Sequence, residues 1–206
     1  GEPLANAVMY PDGRAAPDAQ STVRALKEHP ESDSMGLRVY GPDPLPQWLR
    51  LGRMQPQVRA RTKSFLDCTG WINHYLTGAA TLNHYTGLRL YDPALRGHLG
   101  ASGACFGTVT PLGQPVGELT RSHAERMGWK RVPVISAPFD SKCAYIAAGL
   151  AEEGDALDIS GTVTSIGART RSAVVDPARR IYSVPFDGAW LARGSTASSG
   201  GALEWA

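Results

Sequence analysis

Apolar positions recur at helical spacing through the first half of the chain and alternate in its last third. Residues 16–27 form a helical period after the turn Pro11-Asp12-Gly13. Leu45–Arg53 (LPQWLRLGR) and Pro56–Leu66 (PQVRARTKSFL) form two more, the second opening on a proline where a first-turn proline is favoured. Trp71–Leu76 runs helically into Thr77-Gly78, whose glycine suits a C-cap. Arg121–Met127 reads as a helix with Thr120 as its cap and Gly128 as its end. Strand patterns lie at Ala5–Tyr10, at Val132–Ser136 (an apolar run that reads as buried), at Ala156–Ile159, within 169–175, at Arg180–Val184 and at Trp190–Gly194. Residues 28–46 read as loop with one helical turn, 81–90 as loop and short strand, Leu90–Pro93 as a turn, and 97–115 as irregular. A helix begins at Ala202 after a small polar stretch.

The shift from helices to strands places a candidate domain boundary near Ile159–Gly161. Just before it, residues 136–167 concentrate chemistry. Asp140 stands at the mouth of a helix in which Ala144, Ala147, Ala148 and Ala151 recur, a composition that predicts close approach to a neighbouring backbone. Gly154-Asp155 is a turn, Ala156–Ile159 a strand, and Ser160-Gly161-Thr162 a loop leaving it. A carboxylate, a close-packed helix and a hydroxyl-rich glycine loop together suggest a site where a small polar substrate meets a phosphate. Each residue also has a purely structural role: Asp140 as the N-cap of a helix starting at Ser141, Gly161-Thr162 as a hairpin turn, Gly200-Gly201 as a Ser/Gly linker, and Asp12 with Arg14 as flanks of a tight turn.

Composition narrows the partners. The 206 residues are 42% hydrophobic and 19% charged with a net charge of +2, an ordinary globular balance. That charge argues for neither nucleic acid nor membrane, and the basic residues from Arg50 to Lys63 read as a solvated helix face. Three scattered cysteines (Cys68, Cys105, Cys143) fit reduced thiols in a cytoplasmic protein, without zinc or disulfide spacing. The histidines at 74, 84, 98 and 123 read as isolated structural or surface residues. The chain opens on Gly1-Glu2-Pro3 without a methionine and closes at Trp205-Ala206 inside a beginning helix, which reads as an internal fragment.

Six segments in order resemble the FGGY family of carbohydrate kinases, over nearly the whole chain. They are Ala7–Ala15 (AVMYPDGRA, like the family's Trp-x-Asp-x-Arg-Ala turn), Trp71–Gly78 (WINHYLTG), Phe106–Thr110 (FGTVT), Val132–Gly154 with the catalytic Asp falling on Asp140, Ser160-Gly161-Thr162, and Ser198–Trp205 (SSGGALEW). Phe139 stands where the family usually has glycine, Tyr10 where Trp is common and Asn83 where Asp is frequent. The N-terminal Asp-x-Gly-Thr phosphate motif has no counterpart in these residues.

The resemblance implies an α/β protein of the actin-like (ribonuclease-H-like) kinase fold. Residues 1–158 would be most of the sugar-binding domain, and 159–206 the first strands of the nucleotide-binding domain. It implies ATP-dependent phosphorylation of a carbohydrate hydroxyl, with Asp140 as general base, because a sugar hydroxyl is a poor nucleophile until a carboxylate takes its proton. Tyr10, Asp12 and Arg14 would line the sugar. Gly161, Thr162 and Gly200 would contact nucleotide phosphates. ATP would bring Mg²⁺ held largely by phosphate oxygens and water. The Asp-Gly-Arg turn points to a ketopentose or polyol, and a homodimer is a further expectation. Two other readings stay open: a non-catalytic sugar-binding or scaffold protein that keeps the fold, and an actin-like ATPase with no sugar substrate. The chain by itself is expected to turn over no ATP.

Overall fold

The computed structural model describes residues 2–9, 12–32, 38–102, 105–161, 163–174, 176–178, 180–196 and 199–205. They divide into two compact units, the first formed by residues 2–32 and 39–138 and the second by Arg38 together with the residues from Phe139 onward.

The first unit is mainly helical. After a single 3-10 turn at Gly13–Ala15, helix α1 (Ala16–Glu28) buries Ala19, Thr22, Ala25 and Leu26, spaced one helical turn apart. Helix α2 (Pro44–Met54) carries proline in its first turn and buries Leu45 and Trp48. Next come α3 (Pro56–Arg61), α4 (Cys68–Thr77), β1 (Thr81–Leu82), α5 (His84–Leu88), α6 (Pro93–His98), β2 (Thr108–Val109), β3 (Pro115–Glu118), α7 (Arg121–Met127) and β4 (Pro133–Ile135). Strands β1 and β2 pair in parallel, and β3 with β4 antiparallel. One core gathers Leu45, Trp48, Leu82, Leu90 and Ala101 with Phe65 and Phe106 against it. A second joins Ala25 and Leu26 of α1 to Leu95 of α6.

Cap chemistry fixes most of these helix ends. Asp67, Asn83, Asp92 and Thr120 each accept a first-turn amide through the side chain. Gly78 ends α4 at φ 81°, a left-handed conformation that disfavours any residue with a Cβ.

Helix α8 (Asp140–Ala147) and a four-stranded antiparallel sheet make up most of the second unit. The strands β5 (Ala156–Ser160), β6 (Thr164–Thr170), β7 (Tyr182–Phe186) and β8 (Ala189–Ser195) stand in the order β5-β6-β8-β7, and α9 (Gly200–Trp205) follows. Asp187 and Gly188 join β7 to β8 at φ 46° and 70°, the two left-handed residues of a tight hairpin turn. Edge strand β7 is nonetheless buried, with Val184 fully enclosed. A protected edge tolerates Pro185, which donates no ladder hydrogen bond.

Several expectations are corrected. Residues 5–9 form no strand and take part in no ladder among the described residues. The strand at 133–135 exists but is not buried; Val132 and Ile135 are 40% and 46% exposed, because β4 has only β3 beside it in a two-stranded sheet. Residues 84–88, expected as loop, form helix α5, and a helix not expected from the sequence, α6, begins at Pro93, the last residue of the expected turn, and runs to His98. The alanine seam of α8 does not form: Ala147, Ala148 and Ala151 are exposed, and the helix buries Lys142 and Tyr145 instead.

Candidate functional site

The residues singled out from the sequence fall on both units. In the first, Asp12 caps the 3-10 turn by accepting the Arg14 amide at 3.0 Å, and Arg14 returns its guanidinium to both carboxylate oxygens. Asp12 is 10% exposed at its side chain and Arg14 67%. The Arg14 hydrogen bonds hold the Asp12 carboxyl well below the usual carboxylate range, so it is a permanent anion with a fixed direction. From α2, Gln47 Nε2 donates to the Gly41 carbonyl at 2.9 Å and reaches the Asp12 carbonyl at 3.5 Å, anchoring the turn from behind. Tyr10, the third residue expected beside a sugar, lies outside the described residues.

Asp140 opens α8 in the second unit. Phe139, not Asp140, is the N-cap, so the helix begins one residue earlier than the sequence suggests. Asp140 is exposed, and its Oδ1 accepts the Ser141 amide at 2.6 Å. A carboxylate there complements the positive end of the helix. Phe139 holds φ −63° and ψ 159°, extended backbone that any side chain adopts, so the position carries no backbone strain.

Helix α8 is clamped from below. Lys142 is 2% exposed, and its Nζ donates to the Pro185 carbonyl of β7 at 2.6 Å. Burial, and secondarily the Arg193 charge, lowers its pKa to about 8. One turn on, Tyr145 is fully buried with its hydroxyl 3.3 Å from both the carbonyl and the side-chain oxygen of Ser165 in β6. Gly167 makes room for this ring; a Cβ there would meet Tyr145 Oη at 2.8 Å and Cζ at 2.9 Å. Neither anchor was legible as functional in the sequence, although Lys142 and Tyr145 stand at i, i+3 on one helix face.

The loop after β5 and the turn before α9 come together, although they are distant in sequence. The Gly200 amide donates to the Gly161 carbonyl at 2.9 Å, and the Gly161 amide to the Val163 carbonyl at 2.9 Å. A Cβ at Gly200 would meet Gly161 O at 2.7 Å, so the contact requires glycine. Around them, Thr164 Oγ1 donates to Ser199 Oγ at 2.6 Å, the Thr164 amide donates to Thr196 Oγ1 at 3.2 Å, and Ser160 Oγ donates to Asp158 at 3.0 Å. Thr196 and Ser199 are acceptors in these bonds, so each keeps its own hydroxyl hydrogen to donate. Thr162 lies outside the described residues. The donor set fits a phosphate oxygen through hydroxyls; both glycine amides are engaged within the junction.

Two polar supports in the first unit escaped sequence reading. Asp67 caps α4 through Oδ1 (Gly70 amide, 2.6 Å) and accepts the Asn83 amide through Oδ2 at 3.2 Å, while buried Asn83 donates to the Ala137 carbonyl at 2.8 Å. Asp43 and Arg89 form an ion pair of 2.9 and 2.8 Å, 12% and 10% exposed, with the guanidinium over the Tyr85 ring. Burial pushes the Asp43 carboxyl up, and Arg89 opposes it.

No family model matches the sequence, and no curated protein does. Solved structures do. A xyloylose kinase from Brucella ovis superimposes with a TM-score of 0.83 at 19% identity, over 98% of this chain and 44% of that one. A xylulose kinase from Rhodospirillum rubrum gives 0.83 at 20%, again over 98% and 44%. A Plasmodium falciparum glycerol kinase with ADP gives 0.80 at 14%, over 99% and 44%. The chain therefore has the fold of the sugar kinases, the actin-like α/β fold, and spans 44% of the length of each of these three kinases. Among the described residues, no helix is long and apolar enough to cross a membrane.

Proposed function

We propose that this chain is the central portion of an ATP-dependent carbohydrate kinase that phosphorylates a hydroxyl of a ketopentose or polyol. The observation that carries the reading is the agreement of the fold with xylulose kinases over 98% of the chain, joined to an exposed carboxylate at the segment where the sequence resemblance puts the catalytic acid. Asp140 is the general base. Its Oδ1 is oriented by the Ser141 amide, so Oδ2 takes the proton from the attacking hydroxyl. Asp12, held ionised by Arg14, accepts sugar hydroxyls as a preoriented anion, and Tyr10 stacks on the sugar's apolar face.

MgATP, when bound, supplies the transferable phosphoryl group, with Mg²⁺ carried mainly by phosphate oxygens and water. Gly161, Thr162 and Gly200 are assigned to contact its phosphates, and the hydroxyls of Thr196 and Ser199 beside the Gly161–Gly200 junction would serve as further donors. Following the resemblance, residues 1–158 are assigned to the sugar-binding domain and 159–206 to the nucleotide-binding domain. By compactness, α8 travels with the sheet. A homodimer and a cytoplasmic setting belong to the same proposal.

The test is sugar-dependent ADP release by the full-length protein across a panel of ketopentoses and polyols. Asp140→Asn lowers kcat by about 10³-fold while leaving ATP affinity unchanged. Near-normal turnover in that variant sinks the assignment. The alternative, a non-catalytic sugar-binding or scaffold protein, draws on the internal pairing of the Gly161 and Gly200 amides. Calorimetric binding of sugar, with no ADP release under any condition, would favour it.

A further inference from the structure

The C-terminal ends of α1 and α6 meet in the first unit, and three side chains with metal-ligating atoms meet with them. Glu28 ends α1, His29 is its C-cap, and His98 is the last residue of α6. One ligand atom from each of these residues lies within 4.8 Å of the other two. His98 Nε2 stands 3.6 Å from Glu28 Oε2, and the two imidazoles are 4.7 Å apart, edge to face. We propose that Glu28, His29 and His98 form a binding site for a transition-metal dication of the zinc class, which staples the end of α1 to the end of α6.

Four features support the site. Two imidazoles and a carboxylate are a common zinc ligand set, with the fourth position left to water. At bond lengths of about 2.0–2.1 Å, tetrahedral ligands stand about 3.3 Å apart. The His98–Glu28 pair is already near that spacing, and His29 needs only a side-chain adjustment. His29 Nδ1 lies 3.3 Å from Glu31 Oε1, the outer carboxylate contact that fixes the tautomer and orientation of a ligating imidazole. Finally, two helix C-termini point their partial negative charge at the place where the cation sits, and Glu28 and Glu31 add two formal charges to balance its own.

The frame is rigid before any metal arrives. Ala25 and Leu26 on α1 pack against Leu95 on α6, all at 3% exposure or less. The His29 amide donates to the Ala25 carbonyl at 2.8 Å, which fixes where the chain leaves the helix. His29 and His98 are 69 residues apart (98 − 29), so no local spacing in the sequence marks the cluster.

Zinc chloride titrated calorimetrically into this chain, with Cys68→Ser and Cys143→Ser to remove the two exposed thiols, reads the site directly. One zinc per chain is expected, together with a rise in thermal midpoint that a chelator reverses. His98→Ala weakens binding by about 100-fold or more, and Glu31→Gln by about tenfold. His74→Ala and His123→Ala leave it unchanged. Absence of zinc binding, or binding that survives both His98→Ala and His29→Gln, overturns the proposal and leaves the cluster as a surface ion pair. If His98→Ala loses helical circular dichroism, His29→Gln and Glu28→Gln carry the decision. These variants do not touch Asp140, so failure here leaves the kinase reading where it stands.

Discussion

The two units restrain their polar groups by opposite means. In the first, carboxylates cap helices and pair with guanidinium groups, and the backbone between the helices is held by side chains such as Asp67, Asn83 and Asp43. In the second, an antiparallel ladder satisfies the backbone, and a few buried side chains tie a helix to it. Side-chain pairs concentrate stability in single residues, since removing one partner strands the other in a dry site. A ladder spreads it, so the sensitive positions there are steric. The candidate residues follow suit: Asp12 is aimed by a charged partner, whereas Asp140 is placed by the helix it opens.

The largest expected effect comes from Arg89→Met. It leaves the Asp43 carboxylate buried without its partner and destabilises the first unit by about 3–5 kcal/mol. Hydrogen exchange followed by mass spectrometry should show faster exchange in peptides from α2, α5 and α6. Equal acceleration across β5–β8 would break the comparison, because stability would then not be partitioned by unit.

A smaller loss is expected from Gly167→Ala in the second unit. The new methyl meets Tyr145, an overpacking that costs about 1–3 kcal/mol and shows as a lowered chemical-denaturation midpoint. Adding Tyr145→Phe removes the Oη contact and should recover part of it. An unchanged midpoint in Gly167→Ala would show that α8 shifts freely over the sheet.

Lys142→Met has the least effect at neutral pH, where relief of a desolvated ammonium offsets the lost bond to Pro185. Its signature is in pH. The folded pKa is about 8 against an ordinary 10.5, so between those values the unfolded chain holds a proton that the folded chain has released. Stability of the parent therefore rises with pH across that window, and the methionine variant loses this rise. A parent curve flat between pH 8 and 10.5 would mean that the ammonium is solvated.

What could be read from the sequence was what is local. Thr120 and Gly128 bracket α7 because a cap and a left-handed stop act within one turn. The Asp92-Pro93 pair carries the same information for α6, as N-cap and first-turn proline, but it is equally a turn signature, so the local pattern does not separate the two. The seam of α8 was misjudged because alanine content measures permission to pack rather than the partner available. Edge strand β7 offers a carbonyl that a lysine can reach and an alanine cannot. The junction of Gly161 with Gly200 joins two turns through the sheet, and no local pattern encodes it. The pairing of Asp12 with Arg14 was legible as a turn, but its bidentate geometry was not.

The clamp beneath α8 has a consequence for anyone exchanging parts between such proteins. A chimera joined between Pro138 and Phe139 moves Lys142, Tyr145, Ser165 and Pro185 as one block, and the acid at Asp140 arrives with its footing intact. Joined after Asp158, the same exchange leaves a lysine facing a foreign strand and a tyrosine facing a foreign residue at position 167. The natural unit of transplantation is the helix together with the sheet it stands on, even though a strand-by-strand reading would cut between them.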